Sequence, residues 1–177
     1  MAVKFRAVST ATNTDGVDAT SVTVTKPTGT ADGDVLIAVT HGFTSDTFTP
    51  PSGWTFLGVY DDSTGLRSRA YKKIAASEGA SYTFTFSAGA GGAIGCSVAA
   101  FSGGYDVSTW AVRITSTTDP ASSYDLDAAV DAVSWQVYCW RNSTANSTVS
   151  WSAGTEKHDV TAKASTAVYR GQSGTYY

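Results

Sequence analysis

Side chains that could catalyse a reaction are few and lie far apart in the chain. The two histidines are His41, at the end of an apolar run, and His158, within the charged stretch Glu156–Asp159. A Ser-His-Asp hydrolase of the common type holds its nucleophile in a G-x-S-x-G turn between a strand and a helix, and the sequence has none. We therefore expect both histidines to have structural or surface roles.

Paired carboxylates are the second kind of chemistry to consider, because β-sandwiches can carry glycosidase sites. Such sites need two acids roughly 5–9.5 Å apart, one of them in an apolar setting. The only glutamates, Glu78 and Glu156, lie in polar, turn-like stretches, and the aspartates between Asp15 and Asp62 lie in loops. Turn formation explains these aspartates without catalysis. We predict no enzymatic activity and no cofactor.

Oxygen donors cluster twice in a way that could bind a hard cation. Residues 13–18 read Asn-x-Asp-Gly-x-Asp, and Asp125, Asp127 and Asp131 form a second group. Neither group is followed by a bidentate glutamate at the spacing of an EF-hand. Solvated turns are the favoured interpretation, so no metal site is predicted, and Ca²⁺ remains the alternative.

Aromatic side chains are abundant, with five tryptophans and nine tyrosines, and exposed aromatic rings can stack on sugars. Trp135 and Trp140 differ in parity along one strand, so they point to opposite faces. We expect most aromatic residues to belong to the core. The candidate glycan-contacting residues are Trp54, Trp110 and Trp140.

The elements that must position these residues are strands. Val22–Thr25 and Tyr82–Phe86 alternate apolar and hydroxyl side chains, as half-buried strands do. Val35–Val39 is an unbroken apolar run, which predicts a central strand covered on both faces. Short strands separated by turn signals, with almost no helical periodicity, predict an all-β fold: an antiparallel, jelly-roll-like β-sandwich.

Several residues have predicted places in this sandwich. Pro50 and Pro51 cannot donate ladder hydrogen bonds, so a strand should end before them. Tyr71 and Ile74 are expected to anchor the strand Leu66–Ala75 inward, and Cys96 and Cys139 to be free, buried thiols. Further strands are predicted in the second half, at Trp110–Ile114, Val133–Trp140, Thr148–Trp151 and Thr166–Tyr169.

Gly103-Gly104 looks like a seam between two parts. We predict a β-sandwich domain or first half over residues 1–103, and a second β half, packed on the first, over residues 104–177. A faint echo of residues 31–73 in residues 128–170 would fit two half-sandwiches in tandem. Because the sequence ends soon after Tyr169, we expect an edge there for a neighbouring subunit to cover.

Composition excludes several function classes. The 177 residues carry a net charge of -3, with 12 basic and 15 acidic residues, and the basic residues look scattered, so nucleic-acid binding is not expected. Only 15% are charged, against roughly 25% in an average protein. No apolar run is long enough to cross a membrane, and the N-terminus lacks the apolar core of a secretory signal. We expect synthesis in a cytoplasm.

The order of sequence signals in the first half resembles a known family. Val-Thr-Lys-Pro-x-Gly at 24–29 leads to Gly-Asp-Val-Leu at 33–36 and Pro-Pro-Ser-Gly-Trp at 50–54. Tyr71-Lys72, Glu78, Tyr-Thr-Phe-Thr at 82–85 and Ala-Ala-Phe-Ser-Gly at 99–103 follow. This order is similar to that of β-sandwich domains in tailed-bacteriophage virion proteins, both capsid-surface and minor tail proteins. It covers residues 21–103 well and residues 110–177 loosely.

The resemblance implies a virion structural protein, located in the virion after synthesis in the host cytoplasm. A chain of this size without a fibre repeat resembles a capsid decoration protein more than a tail tip. The implied partners are other virion proteins, such as major capsid or tail proteins, and further copies of the chain in a homo-oligomer. The alternative is a carbohydrate-binding or adhesin module that attaches to a host surface glycan.

Overall fold

The computed structural model describes residues 3–13, 20–43, 47–61, 66–87, 94–103, 134–142, 155–164 and 167–176, with side chains placed only within the first 103 residues. Every regular element in these ranges is a β-strand. The strands are β1 (Lys4–Asn13), β2 (Ser21–Thr25), β3 (Val35–Phe43), β4 (Phe48–Thr49), β5 (Thr55–Asp61), β6 (Leu66–Ile74), β7 (Ser81–Phe86), β8 (Ile94–Ser102), β9 (Ser134–Asn142), β10 (Thr155–Ala164) and β11 (Ala167–Tyr176). The predicted all-β class is confirmed.

A five-stranded antiparallel sheet in the order β1-β8-β3-β6-β5 forms the centre of the fold. Its middle strand, β3, pairs with β6 on one side and with β8 on the other. Val35 to Val39 are all at most 4% exposed, so this apolar run is buried on both of its faces. The prediction of a central strand is confirmed, and the run is apolar because neither face meets water.

A three-stranded sheet in the order β2-β7-β4 packs against one face of the five-stranded sheet. Its strands alternate as predicted: Tyr82, Phe84 and Phe86 point inward, while Thr83 and Thr85 are exposed. We call the apolar residues between the two sheets the inner cluster: Val22, Val24, Leu36, Ala38, Phe48, Trp54, Tyr71, Ala75, Tyr82, Phe84, Phe86, Ile94, Cys96, Val98 and Ala100. This pair of sheets is the antiparallel β-sandwich.

The opposite face of the five-stranded sheet carries a second apolar group, the outer cluster. It consists of buried Val35, Ile37, Val39, Ala70, Ala99 and Phe101, with Val3, Phe5, Val8 and Leu57 partly buried around them. A third sheet, in the order β10-β11-β9, has its backbone close to this central sheet. β10 lies near β1 and β8, β11 near β8 and β3, and β9 near β6.

Three details of the sequence-based interpretation need correction. Ile74 is 46% exposed and is no inward anchor, because it is three positions from buried Tyr71 and so points to the opposite face. β11 is the middle strand of its sheet, so the edge expected after Tyr169 is not there. Two strands were not predicted: β4, within a turn-like segment, and β10, in a stretch of mixed charge.

Further predictions concern the prolines, the second half of the chain and membrane spans. β4 ends at Thr49, directly before the two prolines, as expected. The predicted strands Trp110–Ile114 and Thr148–Trp151 lie outside the described residues, and the division at residue 103 stays a prediction. No helix long and apolar enough to cross a bilayer occurs in the described part of the chain.

Candidate functional site

The two sheets of the sandwich differ in width, so one strand of the wider sheet has no described strand above it. β4, the last strand of the narrower sheet, lies over β6: the Tyr71 hydroxyl donates to the Phe48 carbonyl at 3.3 Å. The Arg69 guanidinium lies 5.7 Å from the centre of the Phe48 ring. β5 lies one strand further out than β6 and has no strand of the narrower sheet above it. Its inner face is therefore open.

Two large apolar side chains stand on this open face of β5. Phe56 is 52% exposed and Val59 is 49% exposed. Phe56 lies opposite Tyr71 on β6, with ring centres 5.8 Å apart in an edge-to-face contact. Val59 lies opposite Arg69, which has the same parity as Tyr71. Both side chains therefore extend the inner face beyond the covering sheet.

A β-bulge puts Phe56 and Val59 on the same face although they are three positions apart. The register between β5 and β6 shifts between Phe56 and Gly58, so Leu57 is the extra residue. Leu57 packs into the outer cluster on the opposite side of the sheet. We call Phe56, Val59 and the backbone edge of β5 that pairs with no described strand the β5 edge.

Charge in β5 is confined to its last residue, Asp61. Thr55 to Tyr60 contains no Lys, Arg, Asp or Glu, and β6 is the only described strand that pairs with β5. Folded proteins commonly protect a free strand edge with charges, prolines, short length or a covering segment, since an apolar edge otherwise pairs with other chains. In the part of the chain that the structure describes, residues 55–60 have only the bulge among these devices.

The three other edge strands of the sandwich, β1, β4 and β2, each have a protecting feature. β1 exposes Lys4 and Arg6, and the backbone of β10 lies beside it. Arg6 Nε is 2.7 Å from Oδ2 of Asp34, whose side chain is 4% exposed. β4 is two residues long, and its Phe48 carbonyl already accepts from Tyr71. β2 faces β1, where Asn13 Nδ2 donates to the Ser21 carbonyl at 3.4 Å.

The start of β5 is fixed by a tight corner. Gly53 has φ +86°, a left-handed conformation that favours glycine, and a Cβ there would lie 3.3 Å from Cε of Lys73. Trp54 follows and is only 9% exposed, with its ring edge-to-face on Tyr82 at 5.3 Å and on Phe84 at 5.6 Å. Trp54 therefore packs in the core, and its role as a glycan contact stays a prediction.

An ion pair closes the same corner. Lys73 Nζ lies 2.9 Å from Oε1 of Glu78, and Oε1 also accepts from the Ala76 N–H at 3.0 Å. Burial by itself raises the pKa of Glu78, but the Ala76 hydrogen bond and the Lys73 ammonium outweigh it, so this pKa lies below its ordinary value of 4.5. Burial and the nearby Glu78 carboxylate raise the pKa of Tyr82.

The remaining candidates fall into two groups. His41 is buried, and its Nδ1 lies 3.0 Å from the Ser68 hydroxyl, which fits a structural role. Cys96 is a buried free thiol, as predicted, and burial raises its pKa. Among the described residues, no three His, Cys, Asp or Glu side chains come together as a metal site.

The other group cannot be placed in the structure. Trp110 and the acidic groups at Asp15 and Asp125 lie outside the described residues, and the side chains of Trp140 and Cys139 on β9 are not described. The sequence-based interpretation also did not identify the β5 edge. Its one local signal is Gly58 inside an apolar run, which breaks the period of two and is typical of a bulge. No family model, curated protein or solved structure matches the chain.

Proposed function

We propose that this chain is a structural protein of a bacteriophage virion, which decorates or cements the capsid surface or sits on the tail. Its activity is association: it joins neighbouring chains through a strand edge rather than turning over a substrate. Two independent lines support the proposal. One is the resemblance of residues 21–103 to virion β-sandwich domains, and the other is the β5 edge.

The β5 edge is the observation that carries the proposal. Phe56 and Val59 are each about half exposed, on a strand that pairs with β6 and with no other described strand. Such an edge is an aggregation hazard in a protein that acts alone, and it is useful in a protein that assembles. The three other edges of the sandwich are protected, so β5 is the one described edge of the sandwich at which another chain could pair.

The exposed face of the narrower sheet has a contrasting chemistry. Its outward side chains are hydroxyls in register across the strands, and the Thr23 and Thr83 oxygens lie 2.9 Å apart. The exposed set comprises Thr23, Thr25, Thr49, Ser81, Thr83 and Thr85. A neutral hydroxyl face is easily hydrated and offers little apolar area, so we assign association to the β5 edge and leave this face in water.

The proposal is tested on purified virus particles. Mass spectrometry of particles that contain this polypeptide should find it in a fixed ratio to the major capsid protein, or to a tail protein. Cryo-microscopy should then locate it on the shell or the tail. If the polypeptide is missing from particles purified from cells that express it, the proposal is wrong.

A matched pair of variants tests the surface. Val59→Lys places a charge on the β5 edge, and Thr83→Lys places the same charge on the hydroxyl face. We expect Val59→Lys to lower incorporation into particles and Thr83→Lys to leave it unchanged. Equal incorporation of both variants would remove the β5 edge from the proposed function.

A further inference from the structure

We propose that the neighbour at the β5 edge is a second copy of this chain, paired antiparallel, β5 to β5, about a two-fold axis. The proposal deepens the proposed function and rests on its assignment of this edge as a contact surface. Pairing would join two five-stranded sheets into one sheet of ten strands. Two-fold contacts of this kind use the same patch on both copies, so the patch must complement itself.

The bulge gives β5 a self-complementary register. If Leu57 of one copy stands opposite Gly58 of the other, then Phe56 stands opposite Val59, and the two-fold axis repeats both pairs. Each copy of β5 has one bulge residue, so the two bulges lie opposite each other across the axis and the pairing register continues on both sides of them. The register therefore brings the two exposed apolar side chains of each copy against those of the other.

The side chains at these register positions are compatible. Phe56 and Val59 lie on the same face, so each cross-strand pair joins an aromatic ring to a β-branched side chain, a favourable combination in sheets. On the opposite face Leu57 meets Gly58, which has no side chain to clash with it. No like charges meet, because residues 55–60 carry none.

The same operation at the other edge of the sheet would fail. Antiparallel pairing of β1 with itself near its start would bring Lys4 and Arg6 of both copies together, and β10 already lies beside that strand. Like charges directly opposite each other are destabilising in a sheet. The side chains of β5 therefore allow two copies to pair, whereas the charges of β1 oppose the same pairing.

Sedimentation equilibrium of the purified chain tests the oligomeric state. We expect the wild type to be a dimer at micromolar concentrations, and Thr83→Lys to remain one. Val59→Lys should be monomeric at the same concentrations, with dimerisation weakened at least about tenfold, since each lysine would place an unpaired charge against Phe56 of the other copy. Circular dichroism of each variant checks that the strand content is retained. A monomeric wild type, or a dimeric Val59→Lys, would overturn the proposal.

Cysteine crosslinking tests the register. In a Cys139→Ser background, Phe56→Cys and Val59→Cys are purified separately, and buried Cys96 is left in place. Opposite residues in an antiparallel pair lie about 4.5–5.5 Å apart, within disulfide range. A residue and its own symmetry mate would be offset by three positions, about 10 Å along the strand. We therefore expect a disulfide only when the two variants are mixed and oxidised.

The outcomes separate the two proposals. A crosslink formed by either variant alone, or none in the mixture, would overturn this pairing. A dimer with the expected crosslink, whose polypeptide is absent from particles, would leave the pairing intact and remove the virion function. A monomer found in particles would do the reverse.

Discussion

The two edges of the central sheet, β1 and β5, solve the same problem in opposite ways. Both strands are bulged, β1 between Phe5 and Ala7 and β5 between Phe56 and Gly58. β1 adds exposed Lys4 and Arg6 and has β10 as a neighbour, whereas β5 has exposed Phe56 and Val59 and pairs with no described strand but β6. A bulge alone therefore does not close an edge in this sheet. β1 differs from β5 in its exposed charged residues and in the nearby strand β10.

The contrast follows from the widths of the layers. The narrower sheet has three strands and stops over β6, where Tyr71 and Arg69 contact Phe48. A fourth strand there would bury Phe56 and Val59. The open face of β5 is thus produced by the tertiary arrangement, and the proposal is that a second copy of the chain covers its apolar side chains.

The largest expected effect comes from removing the support beneath the β5 edge. Tyr71 is 2% exposed and contacts both Phe56 and Phe84, so Tyr71→Ala should lower the free energy of unfolding by about 3–5 kcal/mol. Phe56→Ala, at a half-exposed position, should lower it by much less. Urea denaturation compares the two, and equal losses would mean that β5 is buried as deeply as β6.

Next in size is the charged support of the β1 edge. Asp34 is buried and accepts from Arg6 and from the Ala31 N–H at 2.8 Å. Asp34→Ala removes both bonds, so we expect a loss of about 1–3 kcal/mol in the free energy of unfolding. Arg6→Ala, which leaves the Ala31 bond intact, is the matched control and should cost less. An unchanged free energy of unfolding in Asp34→Ala would show that the hydrogen bonds of Asp34 contribute little to holding β1.

A smaller effect concerns pH at the start of β5. The pKa of Glu78 is lower in the folded chain than its ordinary value of 4.5, so its carboxylate stabilises the fold at pH above 4.5. That contribution is lost as the pH falls below 4.5 and the carboxylate takes up a proton. We expect the urea midpoint to fall less between pH 6 and pH 3 in Glu78→Gln than in the wild type. Identical pH profiles would contradict this assignment.

The smallest expected change in stability comes from removing one exposed charge from β1. Lys4 is exposed, so Lys4→Val should change the free energy of unfolding by no more than about 0.5 kcal/mol. Its effect should appear in association instead, because the strand loses one of its two protective charges. Light scattering should detect species larger than the wild type at high concentration. Unchanged mass would mean that Arg6 or β10 alone protects this edge.

Local pattern was sufficient to predict the strands that alternate cleanly or are wholly apolar. Tyr82–Phe86 and Val35–Val39 have the spacing of a half-buried and a fully buried strand, and both lie as expected. The apolar type of Ile74 suggests burial, but its parity relative to Tyr71 places it on the other face, and parity decides its exposure. β4 is too short to produce a period, and its pairing with β7 depends on a contact distant in sequence.

The candidate site was harder to predict than the strands. The burial of Trp54 depends on Tyr82 and Phe84, which come from another strand, so its own sequence neighbourhood does not predict that burial. The exposure of Phe56 and Val59 depends on where the covering sheet stops, and no local pattern encodes that. Only the absence of charge in residues 55–60 was visible in the sequence, and its meaning needs the topology.

Amide hydrogen exchange at two protein concentrations tests the central claim most directly, because it compares β5 and β1 in one sample. We predict that amides of Thr55–Asp61 become more protected as the concentration rises, while those of Lys4–Asn13 do not change. Protection that is independent of concentration at β5, or that rises at β1 instead, would contradict the account.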